Sequence, residues 1–250
     1  MNFYTIHNTN RQNCKKLILF FAGWGMDEQP FLNLAEAEYD IIIISNYSNL
    51  NIQTTIIDSL LNEYNEINIV AWSMGVWVAG HVLNSYLSSS TNTGNIKLNS
   101  KLNLCIAING TPMPISDEYG IPTAIFNGTI DTLPQSIEKF NLRMCGSKTV
   151  YSQFKSVEPK RTAEDKKDEL IALKESFTIC NTLKWTKAVV AKNDRIFPPE
   201  NQLRYWREYL KKEYPQAEKP TPFAIDEIDA PHYVFYSDGF KLSQLFAGCC

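Results

Sequence analysis

Six short apolar runs, spaced along the chain by polar or amphipathic stretches, limit its fold more than any other feature. They are 17–21 (LILFF), 40–45 (DIIIIS), 67–71 (INIVA), 104–109 (LCIAIN), 187–191 (KAVVA) and 223–228 (FAIDEI). Most are rich in β-branched residues and lack the polar alternation of a strand with one wet face, so they read as strands buried on both sides. Between and after them, 53–64, 74–87, 200–212 and 239–246 read as helices. Strand and helix in alternation predict an α/β fold, a mostly parallel central sheet with helices on both faces. A chain of 250 residues suffices for one such domain with a sizeable core.

Two stretches interrupt the alternation. The first, 88–101 (SSSTNTGNIKLNSK), is polar and low in complexity, and is expected to be a solvated loop. The second, about 111–184, separates two core strands and is too long for a simple crossover. It holds aromatic and apolar residues and a mixed-charge helical segment at 160–175. It is expected to form a lid subdomain inserted into a single domain spanning 1–250.

With 44% hydrophobic and 20% charged residues, the composition is that of a soluble globular protein. A formal net charge of -3 argues against a nucleic-acid binder, which would show a basic excess. No apolar run reaches the roughly 20 residues needed to span a bilayer, and the N-terminus lacks signal-peptide character. A cytoplasmic monomer away from membranes is expected. The six cysteines, at 14, 105, 145, 180, 249 and 250, form no CxxC pair, so no metal site is expected. The terminal Cys249-Cys250 resembles a doubly prenylated tail, but an exposed frayed end is the preferred reading.

The sharpest local signal is 68–76 (NIVAWSMGV), a β-branched strand running through Trp72-Ser73-Met74-Gly75 into a helical pattern. This is the strand–turn–helix setting of a nucleophile elbow, a hallmark of the α/β-hydrolase fold. The turn needs small residues around the serine. Gly75 satisfies this on one side, and Ala71 stands where the common pattern has glycine. The competing reading is a serine near a helix N-terminus, where serine is favoured in any case.

A serine is a weak nucleophile without a base to take its proton. Of three histidines, His7 precedes the first apolar run. His81 lies on the same predicted helix as Ser73, roughly 12 Å further along at about 1.5 Å per residue. His232 remains, in an irregular segment after the last run. The orienting acid should fall between Ser73 and His232, after a strand. Asp194 does so, although it also suits a polar turn. Asp131 competes, and Asp229 is too close in sequence to His232 to orient its ring. The order Ser73, Asp194, His232 is that of the α/β-hydrolases. Donors for an oxyanion are expected from the backbone N–H of Met74 and from that of Trp24, flanked by Gly23 and Gly25. The alternative there is a glycine-rich turn capped by a core tryptophan. Such chemistry needs no cofactor and no metal.

Several segments, in order through nearly the whole chain, resemble the pimeloyl-acyl-carrier-protein methyl ester esterases of the BioG type. They are 20–27 (FFAGWGMD), 71–77 (AWSMGVW), 107–112 (AINGTP), 120–122 (GIP), Lys139-Phe140 with 143–146 (RMCG), and 194–202 (DRIFPPENQ). The resemblance implies hydrolysis of the methyl ester at the far end of a pimeloyl chain borne on acyl carrier protein. Methanol would be released and the disguised fatty-acid stage of biotin formation would end. Carried over by motif, Ser73, Asp194 and His232 form the triad, and Trp24 and Met74 supply the oxyanion amides. Trp24, Trp72 and Trp77 are candidates to line a slot for the acyl chain, with core roles equally open for the last two. The acidic carrier protein would dock on basic residues around the lid, with Arg143, Lys148, Lys155, Lys160 and Arg161 as candidates. Against this, 151–175 holds six Lys and Arg and six Asp and Glu, as on any solvated helix. Two other readings stand: a broader carboxylesterase or thioesterase on small acyl esters, and a non-catalytic acyl-binding protein.

Overall fold

The computed structural model describes residues 1–10, 14–89, 92–179, 183–215, 222–236 and 241–246. Its strands are β1 (Asn2–Ile6), β2 (Lys16–Phe21), β3 (Asp40–Ser45), β4 (Glu66–Trp72), β5 (Leu102–Ile108), β6 (Lys187–Ala191) and β7 (Ala224–Ile228). They form one sheet in the order β1-β3-β2-β4-β5-β6-β7, parallel throughout except for β1, which runs antiparallel to β3. The interior strands β2, β3, β4 and β6 are buried almost end to end, as their unbroken apolar runs predict. β7 is an edge strand and keeps Asp226 and Glu227 exposed. β1 was not among the expected strands because its side chains are mostly exposed; it joins the sheet by backbone pairing with β3.

The helices are α1 (Thr54–Glu63), α2 (Gly75–Ser89), α3 (Asn92–Lys101), α4 (Thr123–Thr132), α5 (Ile137–Cys145), α6 (Lys148–Ser156), α7 (Ala163–Ser176) and α8 (Pro199–Glu213). α3 corrects the expectation of a loop over 88–101. Its composition is polar, but Leu98 is buried, and the Lys101 ammonium donates to the Leu61 and Tyr64 carbonyls at 2.7 and 2.6 Å. A cation on the open carbonyls at the end of α1 joins the two helices by a tertiary contact that composition cannot reveal. The helix expected over 239–246 is a 3₁₀ turn at Leu242–Phe246, and residues 239 and 240 lie outside the described residues. So do Cys249 and Cys250, to which the frayed-end reading applied. Among the described residues no helix is long and apolar enough to cross a membrane.

Helices α4 to α7 all fall between β5 and β6, where the long insert was expected. Local signals delimit them. Gly146 ends α5 in the left-handed conformation (φ 70), Ser147 caps α6 by accepting the Val150 amide, and Thr162 caps α7 by accepting that of Asp165. Beneath them, Phe20, Phe31, Trp72 and Phe235 pack edge to face with ring centroids 4.9 to 6.1 Å apart. This aromatic knot seats the end of β4 firmly in the core.

The turn from β4 into α2 is among the tightest points of the fold. A Cβ on Gly75 would lie 2.4 Å from the Phe21 carbonyl oxygen and 2.5 Å from that of Ala22. Backbone cannot yield as a flexible side chain would. Gly75→Ala is therefore expected to lower stability by about 3 kcal/mol despite alanine's better helix propensity, read by urea denaturation.

Candidate active site

Non-glycine residues with positive φ stand just past the carboxyl ends of three parallel strands: Asn46 after β3, Ser73 after β4 and Asn109 after β5. At Ser73 the strained backbone (φ 58) reverses the chain between β4 and α2. Its amide donates to the Ile108 carbonyl at 2.9 Å, and its carbonyl accepts the Val76 amide at 3.1 Å. Ala71, in the place of the common glycine, is buried in the ladder between Phe21 and Ala107.

The loop after β7 brings His232 over this turn. His232 Nε2 lies 2.9 Å from Ser73 Oγ, and its Nδ1 lies 2.7 Å from Asp194 Oδ2, on the loop after β6. All three side chains are nearly inaccessible, with residue exposures of 6%, 1% and 6% for Ser73, His232 and Asp194. With Nδ1–H donated to the carboxylate, Nε2 is free to accept the serine proton. Asp194 Oδ1 accepts the amides of Ile196 and Phe197, both at 2.8 Å, and Oδ2 also accepts Gln202 Nε2 at 3.1 Å. The competing groups stand elsewhere. Asp131 is exposed on α4, Asp229 accepts Asn193 Nδ2 at 2.6 Å, His7 is exposed near Asp40, and His81 packs beside Trp77 on α2.

Two donors hold the His232 main chain. Asn109 Nδ2 and Trp72 Nε1 donate to its carbonyl at 2.8 and 3.0 Å, while Asn109 Oδ1 accepts the Ala191 amide at 2.7 Å. Asn109 thus links the ends of β5 and β6 to the histidine loop. Neither Asn109 nor Gln202 is among the residues expected at the site. The Asn109-Gly110 pair at a strand end was a usable signal for the first, whereas Gln202 looks like any polar residue of a helix.

An apolar cleft opens above Ser73, lined by Trp24, Met74, Ile121, Phe126, Phe140, Met144, Leu170 and Ile196, with Trp72, His232 and Arg143 also on its surface. It shares Ile125, Thr129, Phe140 and Arg143 with an adjoining wider groove that Lys139 also lines. Of the three tryptophans expected to line a slot, Trp24 and Trp72 line this cleft. Trp77 does not line the cleft. It is buried against His81 and Phe177 and donates to the Thr178 carbonyl at 2.8 Å, so its expected slot role is corrected to a packing role. Neither the Trp24 nor the Met74 amide donates to a protein acceptor among the described residues. Arg143 is exposed and donates to the Arg195 carbonyl at 2.8 Å. Lys148 and Lys160 are exposed, and Lys155 pairs with Glu158 at 2.8 Å. Arg161 is not available for docking: its side chain is buried in ion pairs with Asp165 and Glu169. Among the described residues no group of three or more His, Cys, Asp or Glu could hold a metal ion.

A serine raised on such an elbow, with acid and base following in the chain order Ser, Asp, His, is how α/β-hydrolases are built, and this chain has that fold. Residues 5–239 match the model of the family described as pimeloyl-ACP methyl esterase BioG, and the chain belongs to that family. It is similar to the crystal structure of BioG from Haemophilus influenzae, with a TM-score of 0.77 and 32% identity over 98% of this chain and 99% of that one. It is 42% identical over 222 residues to a malonyl-[acyl-carrier protein] O-methyltransferase of Bacteroides fragilis. That match covers 88% of this chain but only 40% of the length of that relative. A structure from work on carboxylesterases of Nitrososphaera gargenis shares the fold, with a TM-score of 0.58 at 14% identity over 94% of this chain and 88% of that one.

Removing the Asn109 side chain orphans the Ala191 amide and leaves alanine at a left-handed position. Asn109→Ala is expected to cost about 3 kcal/mol. Asn109→Gly, which relieves the backbone but not the lost hydrogen bonds, should recover only part of it. Chemical denaturation of both variants checks this.

Proposed function

We propose that this chain hydrolyses the methyl ester of pimeloyl-acyl-carrier protein, releasing methanol and the free distal carboxylate. The observation that carries the reading is the hydrogen-bond chain Ser73–His232–Asp194, at 2.9 and 2.7 Å, opening onto an apolar cleft in a member of this family. His232 takes the proton of Ser73, which attacks the ester carbonyl. The amides of Trp24 and Met74 receive the developing oxyanion. Methoxide leaves with the proton from His232, and water repeats the sequence on the pimeloyl-enzyme. Asp194 keeps the imidazole in the right tautomer and offsets its charge as it protonates.

The apolar lining suits the methylene chain of a pimeloyl group, and burial of that chain supplies the binding energy that holds the ester in place. Arg143, on both the cleft and the adjoining groove, and Lys139 beside it offer cations to the acidic carrier protein. The Bacteroides relative is named for methyl transfer to an acyl-carrier-borne malonyl group, and this chain matches 40% of its length. We assign that transfer to the part of the relative outside the match. A carrier-borne methyl ester made by such a transferase is the kind of substrate the matched part would later cleave, which supports a role in biotin formation. In this reading the chain acts as a cytoplasmic monomer without a cofactor.

The deciding assay is methanol release from pimeloyl-acyl-carrier-protein methyl ester. Ser73→Ala and Asp194→Asn are each expected to lower kcat/KM by about 10⁴-fold or more, with Asp131→Asn unchanged. If the wild type cleaves simple esters but not this one, the substrate assignment falls. If Asp131→Asn loses activity and Asp194→Asn keeps it, the acid is misassigned.

A further inference from the structure

A second buried carboxylate lies outside the Ser73–His232–Asp194 chain. Glu169, on α7, is wholly inaccessible, and its oxygens accept two amides from loops of the sheet and the guanidinium of Arg161. Oε1 accepts the Tyr47 amide at 2.7 Å, and Oε2 accepts the Gly25 amide at 3.0 Å and Arg161 Nη1 at 2.6 Å. Arg161, its side chain 7% exposed, also donates to the Met26 carbonyl at 3.2 Å and to Asp165 at 2.7 Å. Burial pushes the Glu169 carboxyl above its usual range, while Arg161 and the two amides pull it back. A buried ion pair of this kind adds little net stability over an apolar substitute, so its position matters more than its strength.

What this pair holds is the loop after β2. Within residues 22–27 five polar groups are held by α7, by the residues leading into it, or by Tyr47: the Gly25 amide, the Met26 carbonyl and the three that follow. Tyr47 Oη donates to the Ala22 carbonyl at 2.8 Å. The Trp24 indole N–H donates to the Lys166 carbonyl at 2.6 Å. The Lys160 amide donates to Asp27 Oδ2 at 2.7 Å. Trp24 is thus gripped by its indole and by the following N–H of Gly25. Its own N–H has no protein acceptor among the described residues, and Trp24 lines the cleft with Ser73 and Met74.

We propose that Glu169, with Arg161, is a positioning residue for acyl transfer: it orients the 22–27 loop so that the Trp24 amide faces the oxyanion forming at Ser73. The insert then does more than cover the cleft, because α7 completes the oxyanion hole from outside it. This rests on the reading of Ser73 as nucleophile.

The test uses the full chain with Glu169→Gln and Arg161→Lys, a short nitrophenyl ester that needs no carrier protein, and a trifluoromethyl ketone, which forms an anionic adduct with an active serine. A misaimed donor should lower kcat roughly ten- to a hundredfold, part of the ~10²–10³ that loss of a whole oxyanion donor costs. KM should stay within about twofold, and affinity for the ketone should fall by the same factor as kcat/KM. A purely structural role would lower the melting temperature and leave both quantities unchanged in the folded protein, and that result overturns the proposal. If Glu169→Gln does not fold, Arg161→Lys is read in the same way. Failure of both to fold assigns the pair to stability and also overturns it. Fluorophosphonate labelling of wild-type Ser73 separates the two readings. Without labelling the nucleophile assignment fails, whereas labelling with unaffected variants removes only the positioning role.

Discussion

A carboxylate can be kept away from water only if donors surround it, and that constraint shapes the site end of this molecule. Asp194 is buried with four donors on its two oxygens: the amides of Ile196 and Phe197, the Gln202 side chain and the His232 ring. The amides require the tight loop after β6, and Gln202 requires α8 to start where it does. The histidine requires the loop after β7 to cross over the end of β4. Any one of these elements displaced would leave the charge unpaired in the interior, at a cost of several kcal/mol. The loops after β6 and β7 are therefore held in place by one buried charge.

The same principle recurs on the other side of the cleft with Glu169, which draws donors from the loop after β2, the loop after β3 and Arg161. Ser73 itself stands on a strained backbone. Such strain persists because the surroundings over-determine it. The Ile108 carbonyl takes its amide, and the close approach of Gly75 to Phe21 and Ala22 leaves the turn no room to relax. Rigid framing of this kind suits a site that must hold groups for transition-state contacts before substrate arrives.

Features that depend on neighbours along the chain were legible in the sequence. The unbroken apolar runs of β2, β3 and β4 announced strands covered on both faces, and Trp72-Ser73-Met74-Gly75 announced a sharp strand-to-helix turn. The scarcity of histidine singled out His232. Features that depend on a partner distant in sequence were not legible. β1 has an exposed pattern and is a strand only because β3 offers it a backbone edge. α3 is a helix in a polar stretch because Leu98 and Lys101 find α1. Trp77 was a candidate slot residue, but it is buried against His81 and Phe177, and Phe177 comes from a segment a hundred residues away in the chain.

Arg161 and Glu169 show the division most clearly. In the chain they are two among twelve evenly balanced charges between 151 and 175, and nothing local distinguishes them from a solvated helix face. Folding buries both against the loop after β2, where their charges can be tolerated only as a pair with further donors. The sequence by itself determined the six apolar strands, the elbow and the order of Ser73, Asp194 and His232, because periodicity, turn chemistry and residue scarcity are local or countable properties. Only the tertiary structure decided which charges would be buried, which tryptophan would face the cleft and which side chains would brace the site. Those outcomes depend on desolvation and on partners brought together across more than a hundred residues of chain.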